Sequence, residues 1–582
     1  MGVFDKASLA LVPDGIKDGK LYSIKPTDGS SDFTFNRGSN LAATRVNENG
    51  LIEKGRENVL LQSNQFDTTW VAGSNLTVTS GQSDRNGTNT AWLLSKSSSN
   101  RFIYQDLTSS GVQTYSVYIK AGTSSWVRLV ANTSNFKGAY FDLSNVTTGY
   151  IENAIDATIE SVGNDWYRCS VIFEGAVTRV RIYPAEQDST DGTTGSIYIQ
   201  DAQLEQGLVA TDYIETGATT AQAGILEDLP RINYTGSTPS LLLEPSRTNL
   251  ITQSEYLNGH SKNSFTLVNF SNTTCPIEGV RVSQIIDSNS GGNGRLALFQ
   301  SISLTASTTY TASIFAKADQ LNFIYFSFDG AATSSDKRVW FNLSTGQVGT
   351  ESGGATGSIE SFGNGWYRCI MVFTADNTGV VNTKVAPAET DNNINVDRDG
   401  SSSVFATAMQ LEQGSYATSY IPTYGATATR GSEQSAFELE LAPFFNNVGV
   451  SGDATFMMET SIVGRSSQFI DLFSQGGSGN NTYNGTTFGL RIDGGAGIAN
   501  FGDLPSILTI LDSIKILIRK SGTTFNVFVN GTKSTSTQTI DISATPIKWA
   551  DHVSTYRNSH AVKQILKFPE ALSDADCITL TT

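Results

Sequence analysis

Asn164-Asp165-Trp166-Tyr167-Arg168-Cys169-Ser170-Val171-Ile172-Phe173 returns 200 residues later as Asn364-Gly365-Trp366-Tyr367-Arg368-Cys369-Ile370-Met371-Val372-Phe373. From the tryptophan onward the first copy alternates polar and apolar side chains, the pattern of an antiparallel strand with one covered face. Other blocks recur in the same order. Phe141-Asp142-Leu143-Ser144 reappears as Phe341-Asn342-Leu343-Ser344. Gln203-Leu204-Glu205-Gln206-Gly207 reappears as Gln410-Leu411-Glu412-Gln413-Gly414, now at an offset of 207. Arg56, Asn58, Gln62 and Ser63 match Arg247, Asn249, Gln253 and Ser254 at an offset of 191. A drifting offset with a fixed order marks a duplicated domain whose loops have changed length. Duplication argues for presenting a surface more than once rather than for building one catalytic centre.

Composition supports the strand reading. The chain of 582 residues has room for about three to five domains. Its 30 Phe, 20 Tyr and 7 Trp accompany abundant Thr, Val and Ile, which favour sheets. Its 54 Gly cluster with Asn, Ser, Thr and Asp into frequent turn signals. Short strands between such turns predict an all-β chain of sandwiches or barrels. The net charge is −16, and basic residues come only in isolated pairs such as Arg519-Lys520. A nucleic-acid binder needs a concentrated basic stripe, so no nucleic-acid partner is expected.

Cys169 and Cys369 hold the same repeat position and are expected in the two cores as small apolar residues; Cys275 and Cys577 complete the set. This is not a disulfide scaffold. Residues 1–12 carry Asp5 and Lys6 and lack the apolar core of a signal peptide. No run of about 20 apolar residues predicts a membrane span. Release by cell lysis is the expected route out of the cell.

The expected organisation has four parts. Residues 1–55 form a small N-terminal attachment region. Residues 56–223 form a first jelly-roll module, with strands predicted at 114–120, 125–130, 166–173, 177–183 and 197–200. Residues 224–432 hold a linker motif and a second module. Residues 433–582, where the repeat register ends, form a third sandwich. Its predicted strands are 455–460, 469–473, 487–492, 514–519 and 524–529. Asn530-Gly531 is a hairpin signal, and Ser573 caps a short helix to Cys577.

The blocks Ile52-Glu53 to Leu60, Leu243-Glu244-Pro245-Ser246-Arg247-Thr248-Asn249-Leu250 and Gln410-Leu411-Glu412-Gln413-Gly414 to Thr423 resemble a recurrent phage module. That module is similar to the carbohydrate-binding-type jelly rolls of tail fibres, head fibres and related virion proteins. The resemblance covers roughly residues 30–430 in two copies. Ala7–Pro13, Lys20–Ser23 and Pro26–Gly29 resemble the openings of crAss-like and other Bacteroidetes-phage structural proteins. The order Arg519-Lys520-Ser521-Gly522, then Val527-Phe528-Val529-Asn530-Gly531, then Ile565 to Asp574, resembles laminin-G and concanavalin-like lectin sandwiches. The resemblance implies a non-enzymatic virion protein, a head or tail fibre or decoration, that adheres to host or mucus glycans. It implies capsid or tail proteins as partners and a homotrimer as the assembly. A purely structural spacer and a polysaccharide depolymerase are the alternatives.

Candidate chemistry is sparse. The histidines are His260, His552 and His560, none in a repeated block. His552 follows Asp551, but a general base needs a positioned partner, not a sequence neighbour. Glu205 with Glu412, and Glu186 with Glu389, recur in the scaffold. They are expected to fix turns rather than to serve as a hydrolytic carboxylate pair. Asp391 to Gly400 has enough oxygens for calcium without the EF-hand order, so no cofactor is expected and a structural calcium stays open. Trp126, Trp340, Trp549 and Tyr556 are candidate sugar platforms, whereas Trp166 and Trp366 are expected in the core. Arg179 and Arg181 are expected on an exposed sheet face. No catalytic, cofactor or metal residue is assigned, and the glycan-contacting residues are unknown at this level.

Overall fold

Alternation of apolar and polar side chains gives sheets one face to bury, and this chain is built almost wholly from such sheets. The computed structural model describes residues 2–17, 20–30, 32–34, 37–38, 41–227, 229–433, 453–464, 489–490, 499–500, 513–535, 537–539 and 559–582. The all-β, multidomain, antiparallel reading holds.

The first module is a sandwich of two six-stranded sheets. One sheet runs Thr147–Glu152, Phe136–Asp142, Trp126–Asn132, Val177–Ala185, Ile103–Ser109 and Val71–Ala72. The other runs Asp156–Gly163, Trp166–Glu174, Val112–Ala121, Gly195–Gln206, Ala91–Lys96 and Leu76–Gln82. Alternate residues of both sheets meet between them, among them Val117, Val127, Leu129, Cys169, Val180 and Leu204. Each such side chain contributes about 1.5–3 kcal/mol by leaving water.

The second module repeats this plan. One sheet is centred on Gly379–Ala388 and Phe323–Gly330, and the other on Ser403–Gln413 and Thr309–Ala318. Its core takes Ile314, Ile324, Phe326, Cys369, Val381 and Leu411. Cys169 and Cys369 are fully buried, and burial pushes both thiols up, away from thiolate chemistry.

A further sheet has eleven strands and draws on three distant parts of the chain. Ser559–Phe568 lies between Ala454–Gly464 on one side and two separate partners on the other. Leu9, Ala10 and Leu11 pair with Lys567, Leu566 and Ile565. Leu241, Leu242 and Leu243 pair with Val562, Ala561 and His560. Part of the 1–55 region and part of the 224–245 linker therefore share one sheet with the C-terminal unit. Ile514–Ser521 and Thr524–Val529 form the expected pair. The helix spans Asp574–Thr581, longer than expected, and the Ser573 hydroxyl accepts from the Asp576 amide at its N-terminus. Residues 469–473 lie outside the described residues, as does most of 487–492.

Candidate functional site

The partners of the repeated polar residues decide which surfaces stay free. In the first module the Glu205 carboxylate accepts from the Thr211 amide at 2.9 Å and from the Gln203 amide group at 2.6 Å. The Gln203 oxygen accepts from the Ile214 amide. In the second module Glu412 accepts from the Thr418 amide at 2.8 Å, and Gln410 accepts from the Ile421 amide. Asn58 and Asn249 donate to the same straps, at the Ile214 and Ile421 carbonyls, 2.9 Å each. Arg168 and Arg368 reach the Ala210 and Thr418 carbonyls. The Gln-Leu-Glu-Gln-Gly signature thus ties the following chain down as a strap over the outer face of one sheet.

Trp166 and Trp366 are buried, but under these straps rather than between the sheets. Trp166 packs with Ala91 and Tyr118, and Trp366 with Phe315 and Tyr420. Sealing one face leaves the outer face of the other sheet as the surface each module presents.

In the first module that face is arranged in rows set by strand register. One row runs Asp106, Arg179, Asn132, Phe136, and the next runs Tyr104, Arg181, Val130, Gly138, Glu152. A third runs Tyr183, Arg128, Tyr140. The Arg179 guanidinium lies 3.9 Å over the Tyr104 ring and is paired with Asp106, whose carboxyl it holds below its ordinary range. Arg181 sits between Phe102 at 4.5 Å and Phe136 at 5.0 Å. Phe136 is 44% exposed. In the third row Arg128 pairs with Glu152 and Asp191, and Tyr183 and Tyr140 are buried beneath. The upper two rows form an open aromatic and guanidinium surface of the kind that stacks on sugar rings and bonds hydroxyls.

The second module has lost this character. The matching rows are Ser301, Asn382, Asp329 and Phe299, Lys384, Ser327, Arg338. Lys384 is paired with Asp329, and Arg338 with Asp336. Only Phe299 supplies a ring there. Trp340, an expected sugar platform, is 2% exposed; it stacks on Tyr325 at 5.5 Å and donates to the Asn393 carbonyl at 2.8 Å. Ile394 and Val396 close over it. The offset, 203 at Pro184 and Pro387, becomes 207 at Gln203 and Gln410, so the extra residues fall in this cover.

Trp126 is half-buried at the far end of the first-module face. Arg179 and Arg181 lie on a sheet face, as their alternation implies. Asp391 accepts from the Thr350 amide, Glu389 from the Asp397 amide, and Asp399 from Ser401. Among the described residues no three His, Cys, Asp or Glu side chains converge on a metal position. His260 and His560 are buried, and burial lowers both. His552, Trp549 and Tyr556 lie outside the described residues. Tyr104, Phe102 and Phe136 were missed by motif reasoning. For Phe102 and Tyr104 the signal is the alternation Phe102-Ile103-Tyr104-Gln105-Asp106, whose Gln105 recurs as Gln300.

A recess of about 640 Å³ lies between the modules and is lined by Arg56, Glu57, Glu174, Gln206 and Tyr424. Its charges are largely spent on the joint itself. Lys54 bonds Glu255 at 2.8 Å and Tyr424 at 3.0 Å, and Glu174 accepts from Gln253 at 2.7 Å. The Val112 amide donates to the Tyr424 carbonyl at 2.7 Å. A Cβ on Gly111 would stand 1.9 Å from that oxygen, so only glycine permits the approach.

No family model and no curated protein matches the chain. Among solved structures, Trypanosoma rangeli sialidase is 9% identical, with 94% of this chain and 97% of that chain covered and a TM-score of 0.17. The LG1-3 region of the laminin alpha2 chain is 8% identical, with 82% and 98% covered and a TM-score of 0.13. Vicilin from Solanum lycopersicum (tomato) is 8% identical, with 66% and 88% covered and a TM-score of 0.10. Likenesses this shallow carry no argument about what the chain binds or does.

Proposed function

We propose that this chain is a non-enzymatic structural protein of a phage virion, in a head or tail fibre or decoration, that adheres to glycans of the host surface or mucus through its first module. The observation that carries the adhesion reading is the open face of Tyr104, Phe136, Arg179 and Arg181, on the sheet that the strap leaves free. The virion assignment rests on the resemblance of the repeat blocks to phage modules. The non-enzymatic reading is supported by the repeated carboxylates Glu205 and Glu412, whose oxygens are occupied by strap donors. Capsid or tail proteins are the proposed partners, and a homotrimer would multiply weak sites into avidity.

A glycan array probed with the full chain tests adhesion, and immunogold labelling of virions tests location. Array binding with label at fibre or capsid positions is the expected result. A silent array with firm virion label supports the spacer reading instead. That second reading draws on the second module, whose covered Trp340 and paired cations suit a structural role.

A further inference from the structure

We infer that the first-module face selects acidic saccharides, with Arg181 as the receptor for the sugar carboxylate; this rests on the glycan-adhesion reading. Three guanidinium groups lie on the face. Arg128 is held by Glu152 and Asp191, and Arg179 by Asp106. Arg181 makes no carboxylate ion pair among the described residues; Asp106, already paired with Arg179, feels its charge only from farther off. Its Nη1 donates to the Tyr183 hydroxyl at 3.0 Å, and its Nε is buried without an acceptor. One of the five donors serves a protein acceptor and the buried Nε reaches none, so the spare donors are the remaining Nη hydrogens.

The group is also fixed in place. Phe102 and Phe136 flank it on the two sides, so little rotamer freedom is lost when an anion docks. A neutral sugar leaves the spare donors to water, whereas a carboxylate accepts from them with charge assistance. The same position in the second module is Lys384, which Asp329 already occupies, so the second module has no equivalent receptor.

The test uses the full chain and one polymer in two forms, polygalacturonate and its carboxyl-reduced product, with binding read by biolayer interferometry. Polygalacturonate is expected to bind about tenfold more tightly than the reduced form, the worth of one charge-assisted contact. R181Q is expected to remove that preference, so that it binds the two forms equally. Its melting temperature, held within about 3 °C of the parent, shows that the sheet is intact. Equal binding of both forms by the parent chain overturns the acidic preference while the adhesion reading stands. A preference that survives in R181Q overturns the role of Arg181. If neither form binds and a broad neutral and acidic array is silent as well, the adhesion reading falls with it.

Discussion

Trp166-Tyr167-Arg168-Cys169 does two jobs because a strand shows alternate residues to opposite faces. Tyr167 and Cys169 pack toward the core of the sandwich, while Trp166 and Arg168 face outward beneath the strap. Gln203 and Glu205 face the same strap and flank Leu204, which points inward. The sequence made the repetition of these residues visible but not their side. Trp166 reads as core from its apolar neighbours, and only the strap explains why a tryptophan survives on an outer face. E412Q keeps an oxygen for the Thr418 amide and Gln410 but puts an NH2 where the other oxygen accepts from the Thr418 hydroxyl and faces the Arg247 guanidinium. It is expected to cost about 2–3 kcal/mol in denaturant unfolding, because donors are left facing a donor.

His560 gives a pH signature at the same scale. Burial lowers it to about 4. In the unfolded chain it titrates near its ordinary value of about 6.5. The unfolded state therefore binds the proton more readily, so stability is full above pH 6.5 and falls as pH drops toward 4. The expected loss over that window is about 3 kcal/mol, and H560Q flattens it. Glu244, held at about 2 by Arg430 and Arg231 against its burial, works in a lower window, with loss beginning only below about pH 4.5.

Strands were legible as elements because alternation is local, whereas their partners were not. Val112–Ala121, Trp166–Glu174, Val177–Ala185 and Gly195–Gln206 cover expected segments, and Trp126–Asn132 overlaps the one expected at 125–130. Asn530 and Gly531, at φ 44° and 78°, make the hairpin their identities demand. The partner of Leu9–Lys17 is different. Nothing in Leu9-Ala10-Leu11 announces that it pairs with Ile565-Leu566-Lys567 at the other end of the chain. Backbone complementarity is anonymous, and register comes from burial that the alternation alone leaves open. Deleting residues 2–30 strips this neighbour from Ser559–Phe568 and bares an edge. The truncated chain is expected to lose about 5 °C or more from its lowest melting transition and to aggregate on heating. An unchanged transition would mean the N-terminal strands add nothing to that sheet.

At the scale of the molecule the units are joined by packed contacts. Val112, Ile172 and Leu208 of the first module meet Tyr256 and Phe270 of the second. Below the modules, Arg231 bonds Glu433 at 2.7 Å and Glu244 at 2.8 Å, and Arg430 bonds Glu244 at 3.0 Å, all with side chains at most 4% exposed. Arg37 joins them at 3.5 Å from Glu433. This cluster ties the N-terminal region, the linker and the end of the second module together. R231M removes the shared cation and leaves Glu244 to Arg430 and Glu433 to Arg37. Loss of the Arg231 hydrogen bonds is expected to cost about 2–3 kcal/mol, read as a lower urea midpoint.

On the proposed reading, duplication made a scaffold twice but a binding face once. The most direct measurement compares the affinity of the full chain, F136A and F299A for a glycan retrieved from an array. Loss of one stacking ring from the first-module face is expected to weaken binding about fivefold or more. F299A, at the second-module face, is expected to leave it unchanged. An F136A chain that binds like the parent, or an F299A chain that loses as much, would contradict the account.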